Sequence, residues 1–160
     1  MHPLAADLRT DLEAVAREAA MVATALSRFG EAATGQDEAL RWLAVGGIAS
    51  GIEKTYGGME RVLRRVAAEV DGHVPRDEAW HATLLRRMGS PLPGVRGAVL
   101  APETLSRLDA LRAFRHRERN SFAADLDPVR VLAVAREVAG AVAAFAAALG
   151  RFTTRLDTHG

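Results

Sequence analysis

The amino-acid sequence predicts an all-α protein, a bundle of four main helices and one short helix. Apolar residues recur at three- and four-residue steps along several long segments, which is the spacing of one helical face. No segment alternates apolar and polar residues long enough to form a strand, and the sequence has no internal repeat. A chain of 160 residues suits one bundle with one core. We therefore expect a single domain over residues 1–160.

Two long apolar stripes define the first two helices. The first helix is expected over about residues 3–29, and its apolar positions are Leu8, Leu12, Val15, Ala19, Val22, Leu26 and Phe29. The second is expected over about residues 36–71, and its apolar positions are Leu40, Leu43, Ile48, Ile52, Tyr56, Met59, Leu63, Val66 and Val70. Thr34 or Gln36 is a suitable N-cap for this second helix.

Turn and proline signals delimit the other helices. A short third helix, EAWHATLLRRM, follows the turn DGHVPRD, and the prolines and glycines of GSPLPGVRGAVLA predict a loop. Pro102 can begin a fourth helix, and Asp127 with Pro128 can begin a fifth. The fifth helix carries an apolar stripe formed by Val138, Val142, Phe145, Leu149 and Phe152.

Composition limits the classes of function. The net charge is only +1, so a surface that binds nucleic acid has to be a local basic patch. Residues 107–119 form such a patch, with only Asp109 and Glu118 as acidic residues and with the arginines Arg107, Arg112, Arg115, Arg117 and Arg119. The chain has no cysteine, which excludes disulfides and thiolate metal sites. The N-terminal residues are too charged for a secretory signal, and the longest apolar run, residues 138–150, is shorter than the about 20 residues that span a bilayer. A cytoplasmic protein without a membrane segment is expected.

Two motifs have simpler structural explanations. GGIASGIEKT resembles a phosphate-binding loop, but Ile52 occupies the lysine position and the segment lies within a helical pattern; small residues that allow close helix packing explain it better. Trp80 and His81 fit a packing tryptophan beside a histidine at the bundle edge. The five histidines, which lack the paired spacings of metal sites, are His2, His73, His81, His116 and His159. We predict no metal and no cofactor.

The basic run places several cations on one helical face. Arg112, Arg115 and Arg119 stand at i, i+3 and i+7, so their guanidinium groups project together and can bind RNA phosphates. His116 and Asn120 are neighbours at i and i+4 on an adjoining face. By spacing alone, a solvated or dimer-facing stripe explains the run at least as well as a binding site does.

Three segments together are similar to a known family. RAFRHRERNSFAADLDPVRV, with YGGMERVLRRVAAEVDG and WHATLLRRM, resembles the HepT-like members of the HEPN superfamily, bacterial toxin ribonucleases paired with an MNT-type nucleotidyltransferase antitoxin. The likeness covers about residues 40–150. The family motif is Arg, a polar residue, three variable residues, His, one residue and Tyr. It falls on Arg115 and His116, whereas Asn120 occupies the His position and Phe122 the Tyr position.

The resemblance implies metal-independent RNA cleavage at a site shared by two protomers, where a ribose 2′-OH attacks the adjacent phosphate and leaves a cyclic phosphate. Arg115 can stabilise the phosphate charge, but the amide of Asn120 cannot transfer a proton. His116 can partly substitute, because an imidazole titrates near neutral pH. A homodimer is also indicated by the apolar stripes of helices 1 and 5, which exceed what a short bundle obviously needs.

The departures from the motif leave alternatives open. A catalytically inactive RNA- or partner-binding module explains Asn120 equally well, and a substitution introduced at position 120 to tolerate a toxic protein is a third explanation. In the family, the antitoxin can attach nucleotide to the motif tyrosine. Phe122 has no hydroxyl to modify, so we expect antitoxin control by binding.

Overall fold

Five α-helices make up most of residues 3–159, the part of the chain that the computed structural model describes. They are α1 Pro3–Phe29, α2 Glu38–Glu69, α3 Trp80–Met88, α4 Pro102–Glu118 and α5 Pro128–His159. Short 3₁₀ turns at Ala32–Thr34 and Ala123–Asp125 precede α2 and α5. Within this range there is no strand, only an isolated bridge between Leu92 and Arg96. The prediction of an all-α bundle with four main helices and one short helix is confirmed.

The helix N-termini follow local side-chain chemistry, with one correction. Pro102 and Pro128 begin α4 and α5 as predicted, and the Asp127 carboxylate accepts a hydrogen bond from the Val129 amide. At α2, however, the cap is Asp37, whose carboxylate accepts from the Leu40 amide at 3.1 Å. The prediction that Thr34 or Gln36 is the N-cap was wrong. Thr34 belongs to the preceding 3₁₀ turn, and α2 begins only at Glu38, so Asp37 is the residue in the N-cap position.

Glycines bring α1 and α2 into close contact. A Cβ atom on Gly51 would lie 2.7 Å from Val22 Cγ2, and one on Gly58 would lie 2.7 Å from Val15 Cγ2. As the residue number rises along α2, the contact moves back along α1, so the two helices run antiparallel. The segment GGIASGIEKT thus lies inside a helix, and close helix packing, not a phosphate loop, explains its small residues.

The apolar stripes of α1 and α5 are largely buried within the single chain. Among the stripe residues of α1 only Phe29, at the C-terminal end, is exposed, while Leu12 and Leu26 are partly buried. All five predicted stripe residues of α5 are buried. These stripes therefore supply no surplus surface for a dimer, contrary to the expectation from the sequence. Two positions of the predicted α2 stripe, Leu40 and Leu43, are instead exposed, because they lie near the start of α2, where no other helix packs over them.

The apolar character of α5 reflects its place in the core. By length and composition alone, residues 128–158 are long and apolar enough to cross a membrane. A core helix of a soluble bundle passes the same test, and the α5 stripe from Val138 to Phe152 is packed against the other helices. In the apolar window, 44% of the residues are buried among the helices, which accounts for part of its hydropathy. The count of uninterrupted apolar residues in the sequence did not reveal this longer span.

A buried ion-pair centre fixes the loop between α3 and α4. We call Asp71, Arg87 and Arg96 the Asp71 centre. The Asp71 side chain has 0% exposure and Arg96 has 2%. Asp71 accepts from Arg96 Nε at 2.6 Å, from Arg96 Nη2 at 2.8 Å and from Arg87 Nε at 2.9 Å. The centre joins the residues after α2, the end of α3 and the loop, and so it holds the C-terminal end of α3 in place.

Candidate functional site

The basic face of α4 lines one wall of a cleft. The cleft has a volume of about 610 Å³. The wall formed by α4 and the two residues after it contains all five residues that the sequence singled out for catalysis or RNA binding, namely Arg112, Arg115, His116, Arg119 and Asn120. The opposite wall is the start of α3 and the residues before it, Glu78, Ala79, His81 and Ala82. The helical spacing thus brought the three arginines onto one surface, and the fold placed a histidine across from them.

Arg115 lies between two clefts. It also lines a second cleft of about 510 Å³ on the α2 side, where the other cationic residues are Lys54, Arg61, Arg64 and Arg119. Its Nη1 lies 3.6 Å from Glu60 Oε1, and its side chain is mostly buried. The guanidinium group is therefore held against α2 while it borders both clefts. Such a held cation can stabilise a phosphate with little ordering cost.

Glu60 connects Arg115 to His81. Its side chain is only 7% exposed, and its Oε2 lies 2.5 Å from His81 Nδ1. Toward an ionised carboxylate, which can only accept hydrogen bonds, Nδ1 acts as the donor, and Nε2 is then the ring nitrogen that Glu60 does not bind. The His81 ring stacks on Trp80 with centroids 3.6 Å apart, and Arg64 lies over the Trp80 ring at 4.9 Å. His81 is thus more than a packing neighbour of Trp80.

Sequence patterns did not reveal the Glu60–His81 pair. The two residues are 21 positions apart, and only the packing of α3 on α2 brings them together. One signal was available: Glu60 follows Tyr56 by four residues, so a carboxylate sits next to the apolar stripe of α2. A buried carboxylate needs a charged or hydrogen-bonding partner, and the position of Glu60 therefore predicts that some partner exists, although not which residue.

Tyr56 is a core residue beside this network, in agreement with its place in the predicted stripe. It is buried, and its hydroxyl, which faces Glu60, makes no hydrogen bond of good geometry within the described part of the chain. Burial, followed by the negative charge of Glu60, raises the pKa of Tyr56 far above its ordinary value; Arg112 and Arg115 oppose this only in part. The hydroxyl is therefore neutral, and it does not face solvent.

The two positions that depart from the family motif lie just beyond α4. Asn120 Nδ2 donates to the His116 carbonyl at 3.1 Å, so the amide satisfies one of the free carbonyl groups at the helix end. Phe122 is 82% exposed. Its ring therefore does not pack against the rest of the chain. Both residues are accessible from solvent.

No cluster for a metal ion is found in the described residues. Nowhere among them do three or more His, Asp or Glu side chains converge to hold one. Two acidic residues near the cleft are engaged with arginines: Asp109 Oδ1 accepts from Arg112 Nε at 2.7 Å, and Glu60 faces Arg115. Glu78 lines the cleft itself.

One family of known proteins matches most of the chain. The family model described as HepT-like protein matches residues 47–156, which include α3, α4, the cleft and almost all of α5. No curated protein and no solved structure matches the chain. The matched region covers well over half of the sequence, and the chain therefore belongs to the HepT-like protein family.

Proposed function

We propose that this protein is a HepT-like toxin endoribonuclease that cleaves RNA without a metal ion, and that its activity is weakened by Asn120. The observation that carries the proposal is the cleft, where the motif residues Arg115 and His116 lie beside Arg112 and Arg119. Family membership supports a toxin ribonuclease type of function. The whole chain acts as one cytoplasmic domain in this proposal.

The cationic side chains of the cleft suit the phosphate chemistry. When a 2′-hydroxyl attacks the neighbouring phosphate, negative charge builds on the phosphate oxygens, and preorganised cations stabilise that charge. Arg115 faces the nearly buried carboxylate of Glu60 on the α2 side, whereas the carboxylate partner of Arg112, Asp109, is exposed. The motif histidine would add proton transfer, which is typically worth about 10² to 10⁴ in rate. Asn120 lacks that ability, and His116 on the same cleft supplies part of it.

Two partners are part of the proposal. A second copy completes the site, and an MNT-type nucleotidyltransferase antitoxin silences the protein by binding. The exposed apolar side chains of Phe122 and Val129, just after the motif, support an interface next to the cleft. Light scattering is expected to give twice the chain mass of 17.1 kDa; a monomer at micromolar concentration would remove the shared site.

A second candidate function is a non-catalytic RNA- or partner-binding module. The observation in its favour is the side chain of Asn120, which serves as a helix cap on the His116 carbonyl. A residue with that structural task needs no part in proton transfer. The basic cleft would then bind RNA without cutting it.

RNA binding by the cleft can be measured with two matched variants. Arg115→Ala is expected to weaken binding and to lower the slope of log affinity against log salt by about one, the value of one phosphate contact. Arg117→Ala removes an exposed arginine of the same helical turn that does not line the cleft, so its effect is expected to be smaller. Equal effects would mean that RNA binds the helix end by charge alone, and unchanged affinity in Arg115→Ala would assign that residue to bridging α4 and α2.

A further inference from the structure

We infer that His81, oriented by Glu60, is the proton acceptor of this site and takes the role that Asn120 cannot fill. The inference rests on the proposed ribonuclease function and names a further catalytic residue for it. His81 lies on α3, outside the family motif, and reaches the cleft from the wall opposite Arg115 and His116.

The contacts of His81 fix its ring in a useful orientation. Nδ1 is tied to a carboxylate that is almost fully buried, and the ring stacks on Trp80. A histidine whose one nitrogen is held by a carboxylate presents the other nitrogen as a base in a fixed direction. About a third of the side chain remains exposed. A ring in contact with both a buried carboxylate and an open cleft is suited to accept a proton from a bound ligand.

One carboxylate positions both the base and the phosphate-binding cation. The two oxygens of Glu60 face different partners: Oε2 faces His81, and Oε1 faces Arg115. The relative placement of base and cation is therefore set by a single rigid residue in the middle of α2. The charged and titratable groups around His81 are Glu60 and Arg64 from α2, Glu78 before α3, and Arg112, Arg115, His116 and Arg119 from α4. Cations outnumber carboxylates in this set, which favours a phosphodiester as ligand.

The proposed step conserves atoms and charge. His81 Nε2 takes the proton of the ribose 2′-hydroxyl as the 2′-oxygen forms a bond to phosphorus. The bond from phosphorus to the 5′-oxygen breaks, and its electron pair leaves with that oxygen, which takes a proton from the imidazolium form of His116. The products are a 2′,3′-cyclic phosphate and a 5′-hydroxyl. Afterwards, solvent removes the proton from His81 and restores that of His116.

Cleavage of a short RNA by the full-length chain and its variants tests this role. His81→Asn is expected to lower the rate constant at saturating RNA by about 10² to 10⁴, with RNA affinity unchanged, and Glu60→Gln is expected to lower it less. His73→Asn is the matched control, because His73 is an exposed histidine outside the cleft, and its activity should equal that of the unmodified chain. Added imidazole should restore part of the activity of His81→Ala, which a purely structural role would not allow.

A measurement on the unmodified chain covers the case in which the His81 variants fail to fold. Addition of a nucleoside 3′-monophosphate should shift the nuclear magnetic resonance signals of the His81 ring and leave those of His73 in place. An unresponsive His81 ring would overturn the inference, and so would full activity of a folded His81→Asn.

The same assay separates this inference from the proposed function. If the unmodified chain is inactive but Asn120→His cleaves RNA, the ribonuclease function is supported for the chain with the motif histidine, and the catalytic role of His81 is rejected. If neither cleaves RNA, both are rejected.

Discussion

Removal of the Asp71 carboxylate is expected to be the most damaging single change outside the hydrophobic core. Asp71→Ala leaves Arg96 with 2% side-chain exposure and no compensating charge. Arg96 still donates to the carbonyl groups of Ser90, Gly97 and Arg87, so its N–H groups stay partly satisfied. Arg87 is about a quarter exposed and can turn toward water. The main cost is therefore the buried charge of Arg96.

The magnitude follows from these contacts. Breaking a buried ion pair by removing one partner typically costs 3–5 kcal/mol, and the three carbonyl contacts of Arg96 place this case at the lower end, about 3 kcal/mol. In a domain of about this size, 1 kcal/mol shifts the melting temperature by about 2–4 °C, so a fall of about 6–12 °C is expected.

Urea denaturation and thermal unfolding measure this cost. The double variant Asp71→Leu, Arg96→Met removes both charges and keeps apolar volume, and it is expected to be more stable than Asp71→Ala. A loss below about 1 kcal/mol in Asp71→Ala, the value of a surface ion pair, would refute the argument that this centre is buried and holds the loop.

Three further predictions follow from the packing and burial. Gly58→Ala should destabilise the fold, because its Cβ would lie 2.7 Å from Val15 Cγ2. Gly57→Ala, whose Cβ would have nothing within 4 Å, should stabilise the fold by about 0.5–1 kcal/mol through helix propensity. Urea denaturation of the two variants compares these effects. Tyr56 is the only tyrosine, so tyrosinate absorbance reports on it alone. The fold keeps the phenol neutral, whereas an unfolded phenol ionises near pH 10. The free energy of unfolding should therefore fall as the pH rises above about 10, and tyrosinate absorbance should appear only when the chain unfolds. Tyrosinate absorbance from the folded chain would contradict the burial of Tyr56. Incubation with ATP and the cognate nucleotidyltransferase should leave the intact mass unchanged but add nucleotide to Phe122→Tyr, and an adduct on the unmodified chain within residues 115–125 would show that prediction to be wrong.

The helical framework could be predicted from local patterns. The stripes, turns and proline starts predicted the five helices, with the bounds of α1 and the first residues of α4 and α5 as observed, because helix periodicity and helix starts depend on residues a few positions apart. The same local rule placed Arg112, Arg115 and Arg119 on one face. It failed where a 3₁₀ turn that the patterns did not predict moved the N-cap of α2 to Asp37.

Contacts between distant segments could not be predicted in this way. The Glu60–His81 pair and the Asp71 centre join residues far apart in sequence, and no spacing rule relates them. Burial was likewise misjudged at Leu40 and Leu43, which belong to the stripe of α2 but have no helix packed over them at that end. A stripe shows which face of a helix is apolar, whereas the neighbouring elements decide which part of it is covered.

Cleavage of RNA by the unmodified chain, in the presence of a metal chelator, tests the central claim most directly when it is run beside Arg115→Ala and Asn120→His. We expect slow cleavage by the unmodified chain that leaves cyclic phosphate ends, loss of cleavage in Arg115→Ala, and faster cleavage in Asn120→His, because the motif histidine adds a proton-transfer group to the site. Absence of cleavage in all three proteins while RNA still binds would contradict the ribonuclease function and favour the binding module.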